Sequence, residues 1–237
     1  MSDTTREDRL LEAISALTDT LASDYDVVEV AQVLVESSAS LFDIDAAGLL
    51  IAGPGGELDV LASTSEASRL IEVLQIDAEA GPCLDCFHTG QPVSVPNIST
   101  GSAKWSQFID RARELNFQSV HAIPLRHRDI VIGTLNLLST RTGELNEPDL
   151  RAARALADLT TLGILQDRTT REHITVQQQL EAALSSRVLI EQAKGFVSNR
   201  NRVSVDEAFT LLRNHARSHR ARLADTAAQV VARELML

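Results

Sequence analysis

Apolar residues recur at helical spacing through the first forty positions, in two registers. Leu10, Ile14, Leu17 and Leu21 form one stripe, and Val27, Val30, Leu34 and Leu41 form another. This spacing predicts two amphipathic helices over about 6–42. The period then changes. Ala46–Ala52 is a short apolar run, Gly53-Pro54-Gly55-Gly56 follows, and Leu58–Ala62 is a second run. That is the signature of two strands joined by a glycine-rich hairpin connection.

The stretch Ala80–Ile98, with Gly81-Pro82, Gly90, Pro92 and Pro96, reads as irregular, and a helical segment is expected around Ser102–Leu115. Two more strands are predicted at Val120–Leu125 and Ile130–Ser139, joined by the polar turn Arg126-His127-Arg128-Asp129. Asn146-Glu147-Pro148-Asp149 then opens a helix, with an N-cap, an early proline and acidic groups in the first turn. From there to about Val197 no glycine–proline cluster breaks the helical pattern. A seven-residue stripe runs Leu162, Thr169, Val176, Ala183, Ile190, Val197, beside Leu159, Gln166, His173, Leu180, Arg187, Lys194. The middle of this seam is polar, so the pattern predicts a long connecting helix, solvated unless a second protomer pairs with it.

A helix end is expected at Lys194-Gly195, followed by a polar turn over Ser198–Arg202. Ser204-Val205-Asp206-Glu207 has the form of a capping box. In the helix it starts, Val205, Ala208, Phe209, Leu211 and Leu212 are expected to face a core, while Arg213 and Arg217, four apart, share the polar side. His215 flanks them. His219, Arg220 and Arg222 fall in the next turn, and Leu223, Ala227, Val230 and Val231 mark a last helix. Helices this short need mutual packing to persist. Phe196 and Phe209, the aromatics of this region, read as core.

Charge divides the chain in the same place. Its formal net charge is −11, but residues 1–166 carry 11 Lys and Arg against 25 Asp and Glu, and residues 167–237 carry 11 against 8. The body is therefore at −14 and the tail at +3, and only the tail suits a phosphate backbone. No apolar run reaches the roughly 18 residues that span a bilayer. The N-terminus is unlike a secretory signal, and two cysteines without one point to a reducing compartment. The expectation is a cytoplasmic protein with no membrane contact.

Strands in the middle with helices at both ends make the first part α+β. It resembles a GAF domain, the small sensor fold. The resemblance rests on the N-terminal helices, the hairpin through Gly53–Gly56, Gly81-Pro82-Cys83-Leu84-Asp85 with Thr89-Gly90-Gln91-Pro92-Val93, and Ile132-Gly133-Thr134-Leu135-Asn136-Leu137. The last sixty residues resemble an ANTAR domain, the RNA-binding output module of bacterial antitermination regulators. Here the matching blocks are Ser186–Gly195, Ser204–Phe209, Leu211–Arg217 and Leu223–Ala227, in order and at the right spacing. Together the resemblances imply a GAF-like antiparallel sheet with flanking helices over 1–166, a helical connector over 167–182, and a three-helix ANTAR-like bundle over 183–237. They also imply partners: paired RNA stem-loops in nascent transcripts and, for the GAF-like domain, room for a small-molecule ligand; two stem-loops call for two modules, so geometry adds the expectation of a homodimer. No cofactor is implied.

By composition alone, the arginines of the tail are a solvated helix face. The ANTAR resemblance turns Arg187, Lys194, Arg202, Arg213, Arg217, Arg220 and Arg222 into candidate RNA contacts, with a packing or salt-bridge role left open for Arg187. Cys83 and Cys86 leave three readings open: packing first, then a dithiol sensor, then a metal site, for which a lone C-x-x-C lacks two ligands. With Trp105 and His121 they are the candidates for a sensor pocket, against bland roles as a helix anchor and a half-buried strand histidine. No Walker loop, dinucleotide fingerprint or nucleophile motif occurs, so no catalytic residue is assigned. A DNA-binding or protein-docking regulator, or a redox sensor using Cys83 and Cys86, is the alternative.

Overall fold

The computed structural model describes residues 5–22, 25–53, 55–166 and 176–237. Helix α1 (Arg6–Leu21) starts at a capping box between Thr5 and Asp8, and α2 (Val27–Phe42) at Asp26, whose carboxylate accepts from the Val28 amide. Strands β1 (Ala46–Ala52) and β2 (Leu58–Ser63) form the expected hairpin. Helix α3 (Glu66–Asp77) follows, then α4 (Pro82–Thr89), β3 (Val93–Val95), α5 (Ser106–Glu114), β4 (Ser119–His127) and β5 (Ile130–Ser139). Helix α6 (Glu147–Gln166) begins at Asn146, which accepts from the Asp149 amide at 2.8 Å. Helices α7 (Val176–Asn201), α8 (Val205–Ser218) and α9 (Leu223–Val231) complete the chain.

The strands make one antiparallel sheet in the order β2-β1-β5-β4-β3. Alternation along each strand gives it two faces. Ala47, Leu49, Ile51, Ile123, Leu125, Leu135 and Leu137 pack on the layer of α1, α2 and α6. The other face is covered by α3, α4 and α5, in two apolar clusters. One gathers Ile71, Ile98, Trp105, Phe108, Val120 and Leu138; the other gathers Leu50, Leu58, Val60 and Cys83. Arg6 pairs with Asp149 and the Tyr25 hydroxyl donates to the Gly163 carbonyl at 2.6 Å, tying the first two helices to α6.

Three expectations are corrected. The irregular stretch Ala80–Ile98 contains α4, started by Pro82 at its first position and ended by Gly90 in the left-handed region. Short helices of this kind are hidden by their own punctuation. Gly195 does not end a helix: α7 runs on to Asn201, and Arg202 adopts the left-handed conformation instead. A helical glycine costs about 1 kcal/mol, and the buried Ile190, Ala193 and Val197 around it outweigh that. In α8, Val205 and Leu211 are exposed, and Phe196 on α7 is exposed too, so only Phe209 of the tail's aromatics is core.

The seven-residue seam behaves differently from a solvated rod. Thr169 and His173, with the middle of the connector, lie outside the described residues. Two of the seam's described positions are covered by the chain itself: Ile190 and Val197 are buried in a cluster with residues of α8, α9 and α2.

Strand pairing sets one sharp constraint. A Cβ on Gly133 would stand 2.1 Å from the Leu50 carbonyl oxygen across the β1–β5 ladder. Backbone cannot yield there as a side chain can. Gly133→Ala is expected to lower unfolding stability by about 2–3 kcal/mol, read by denaturant unfolding at neutral pH.

Candidate functional site

Two sets of residues stand apart from ordinary core: a buried cluster of polar side chains in the first domain, termed the chamber, and a cationic face on the tail.

The chamber lies between the two clusters on the α3/α4 side of the sheet. Thr134 and Asn136 alternate onto this face from β5, opposite Leu50 and Gly48 of β1. Helix α3 presents Ser68, Glu72 and Gln75 to it, spaced four and three apart. All five are fully buried. The Glu72 carboxylate oxygen Oε2 accepts from Asn136 Nδ2 at 3.0 Å and from Cys83 Sγ at 3.4 Å. Gln75 Oε1 accepts from the Cys83 amide at 3.2 Å, capping the start of α4. Four polar atoms are left without partners there: Glu72 Oε1, Gln75 Nε2, Thr134 Oγ1 and Asn136 Oδ1. Gly48 makes room for Glu72, whose Oε1 would stand 2.7 Å from any Cβ at that position. Burial pushes the Glu72 carboxyl up to about 7, against the lowering effect of its bonds from Cys83 and Asn136.

The structure divides the four sensor candidates named from the sequence. Cys83 and Cys86 sit on α4 and both are buried; Cys83 touches the chamber. Burial pushes the Cys83 thiol well up, reinforced by the charge of Glu72, and pushes Cys86 up to about 12. Thiols held protonated in this way are poor nucleophiles. Among the described residues no group of three metal-ligating side chains gathers around them. Trp105 packs with Phe108 in the neighbouring cluster, and its buried Nε1 has no hydrogen-bond partner. His121 alternates onto the opposite face from Val120 and Ala122. Its Nδ1 shares a hydrogen bond with Ser94 Oγ at 2.8 Å, and burial lowers its pKa despite the Gly143 backbone and Glu144. Glu72, Gln75, Thr134 and Asn136 were not anticipated. The available signal was polar residues at core-facing periods, i, i+3 or i+4 on α3 and i, i+2 on β5.

On the tail, the Ser204–Glu207 capping box forms as the spacing predicts, with the Glu207 amide donating to Ser204 Oγ at 3.2 Å and the Ser204 amide to Glu207 Oε2 at 2.8 Å. Five of the seven cationic candidates come to one side. Arg187 Nη1 lies 2.8 Å from Asp59 Oδ1 of β2. Arg217 donates from Nε and Nη2 to Glu29 Oε1 of α2, at 3.1 and 2.9 Å. Arg213 Nη1 is 3.9 Å from Glu36 Oε2, and its buried Nε has no hydrogen-bond partner. Arg222 lies close enough to Asp26 to lower that carboxyl, whose pKa is raised overall by burial. Lys194 pairs with Glu191 and stands over the Phe209 ring, 5.6 Å from its centroid. Arg202 and Arg220 are set apart, exposed in the turns at either end of α8. His215 stacks on His219, ring centroids 4.0 Å apart.

A sensor-type α+β domain with a buried polar cluster, followed by one long and two short helices with a cationic face, defines a two-part regulatory protein. A GAF domain model matches residues 24–164 and an ANTAR domain model matches residues 178–231. The chain belongs to the GAF family and carries an ANTAR domain after it; these are regulatory domains, not catalytic ones. Solved structures agree on the fold. The GAF domain of a phosphoenolpyruvate-protein phosphotransferase from Coxiella burnetii is 15% identical, covers 68% of this chain and 96% of its own, and superposes with a TM-score of 0.55. The corresponding domain from Acinetobacter gives 14%, 72%, 98% and 0.53, and the GAF domain of the cyanobacteriochrome TePixJ gives 15%, 62%, 93% and 0.52. At these identities the likeness concerns fold alone. No curated protein matches the chain. Among the described residues no helix is long and apolar enough to cross a membrane.

Glu72 makes stability depend on pH. Its folded pKa lies above the ordinary value near 4.5, so its stabilising contribution is complete below that value and is lost as pH rises through about 7. The loss amounts to roughly 3 kcal/mol for a shift of that size. Glu72→Gln, which cannot ionise, is expected to match the parent near pH 4, to exceed it increasingly as pH rises to about 7, and to keep a constant advantage from there to pH 8.5. Unfolding in denaturant across these pH values reads the difference.

Proposed function

We propose that the chain is a cytoplasmic, non-enzymatic antitermination regulator, in which the GAF domain senses a small polar ligand and the ANTAR domain binds paired stem-loops of a nascent transcript. The observation carrying this reading is the coincidence of the ANTAR match over 178–231 with the cationic face of α7 and α8. Base readout in RNA takes place in splayed loops, while cations hold the phosphates of the stem, whose deep major groove side chains do not reach. Arg187, Lys194, Arg213, Arg217 and Arg222 supply those cations from one side of the module, and Arg202 and Arg220 extend them at the turns.

Two stem-loops call for two modules. Helix α7 supports pairing of two copies, because Val188 and Phe196 are apolar side chains standing 56% and 45% exposed, away from the buried Ile190, Ala193 and Val197. On the sensing side, unpaired Glu72 Oε1, Gln75 Nε2, Thr134 Oγ1 and Asn136 Oδ1 would be satisfied by a ligand offering both donors and acceptors. Strand β2 connects the two sites. Leu58 and Val60 pack with Cys83 beside the chamber, and Asp59 between them holds Arg187.

The full-length protein is expected to bind a two-stem-loop RNA in preference to single-stranded and duplex controls, with two protomers per RNA. Lys194→Ala with Arg213→Ala should weaken that binding at least about tenfold and reduce the log–log salt slope by about 1 to 2, with circular dichroism unchanged. Equal binding to all three RNAs would rule the reading out. Filter binding across a salt series, with sedimentation for stoichiometry, measures both quantities.

A further inference from the structure

The cationic face of the tail is partly covered: Arg187 and Arg213 are largely shielded, while Arg217 stays about half-exposed. Its arginines lie against carboxylates of the sensor domain: Arg187 on Asp59, Arg213 on Glu36, and Arg217 on Glu29. Glu29 and Glu36 are two helical turns apart on α2, and they meet Arg217 and Arg213 in antiparallel order along α8. Glu29 is the anchor, a buried carboxylate receiving two nitrogens of one guanidinium. A carboxylate taken out of water without a partner is costly. Arg217 is what the structure supplies here, so the pairing belongs to the docked fold rather than to a chance surface encounter.

We propose that this acidic surface of α2 and β2 is a built-in competitor for RNA, which docks on the ANTAR arginines in the positions phosphates need and keeps the regulator closed. The inference rests on the RNA-binding function argued above and adds its regulation. Three features fit a contact made to be released. The carboxylates of Asp59 and Glu36 are about half-exposed even though Arg187 and Arg213 are largely covered, so water and salt reach these pairs and weaken them. Arg213 is poorly served when docked, with its nearest carboxylate oxygen at 3.9 Å and its buried Nε unpaired, so a phosphate could offer it a better bond. A cleft of about 220 Å³ runs through the junction, lined by Val28, Gln32 and Ser65 on the sensor side and by Ile190, Lys194 and Phe209 on the tail. Charge strengthens the competition. A sensor domain at −14 repels RNA wherever it covers the tail, so the closed form excludes RNA by occupancy and by field together.

The test removes the competitor without touching a candidate RNA contact. In the full-length protein, Glu29→Gln, Glu36→Gln and Asp59→Asn are combined, keeping the shapes of the side chains. A control triple, Glu12→Gln, Asp110→Asn and Asp129→Asn, removes the same charge from exposed sensor positions away from the tail. The first triple is expected to bind the two-stem-loop RNA about tenfold or more tightly than the parent near 0.1 M salt, and the control to differ little. Hydrogen exchange should rise along α2 and α8 in the first triple and stay unchanged in β4 and β5, which establishes that the junction has opened and the domain has kept its fold. Equal affinity of parent and first triple with raised exchange would overturn the inhibition while leaving RNA binding standing. An equal gain in both triples would overturn it in favour of general charge. RNA binding by neither protein would overturn the function itself, and the inhibition with it.

Discussion

Helix α2 has to be buried on nearly all sides, and the architecture follows from that. Ten of its sixteen residues are buried, Val30, Val33, Leu34 and Val35 among them, which is more than one sheet face can cover. An amphipathic surface helix needs a single apolar stripe; a helix apolar around most of its circumference needs neighbours around most of it. The sheet takes one side, α1 and α6 take another, and the tail takes a third. The tail has the matching requirement. Helices α8 and α9, at 14 and 9 residues, are too short to persist unless Leu212, Leu223 and Val230 are buried together with Ile190 and Val197 of α7. The two needs are met at one junction, so the ANTAR domain is partly folded onto the GAF domain.

The polar chamber lies on the opposite side of the sheet, where the constraint is of another kind. Protein interiors tolerate polar networks only when their members are satisfied, yet four buried atoms here lack partners while Glu72 sits at full burial. The α3/α4 side therefore holds four unpaired polar atoms in one place, and on the proposed reading it is the side at which a ligand acts. Strand β2 touches both this side and the α2 layer. Its alternate side chains, Val60 toward Cys83 and Leu61 toward the α2 layer, are fixed by pleat geometry, so a displacement at the chamber cannot leave the α2 side of that strand untouched.

How much of this was legible in the sequence depended on whether a feature had a period. The helices over 6–42, the four long strands, the Asn146 start of α6 and the Ser204–Glu207 box were all readable, because each is a local pattern with a local cause. Helix α4 was hidden, since Pro82 and Gly90 look like loop residues until one sees that they bound a single helix of eight residues. Gly195 misled for the converse reason: a weak local breaker was overruled by tertiary burial. The chamber was half legible. Thr134 and Asn136 were visible within a strand, but nothing local said that Glu72, sixty-four positions away, would meet them. The partners of Arg187, Arg213 and Arg217 were beyond reach on the same ground, because an ion pair 128 or 188 residues apart leaves no mark on sequence spacing.

That last limit bears on what the charge division means. An acidic body of −14 beside a tail of +3 reads naturally as two modules with separate tasks. On the proposed reading the ion pairs make it a single device, because the same guanidiniums that would hold phosphates hold carboxylates in this fold. Their strength then enters twice. A more basic tail would bind RNA more tightly and also dock more firmly on α2, leaving the difference between open and closed forms nearly where it was. A regulator built this way sets its threshold through the acidic side, where Glu29, Glu36 and Asp59 act on the closed form alone. The modest charge of the tail is then no weakness: it keeps both opposing contacts within reach of a ligand whose differential affinity for the two forms is itself limited.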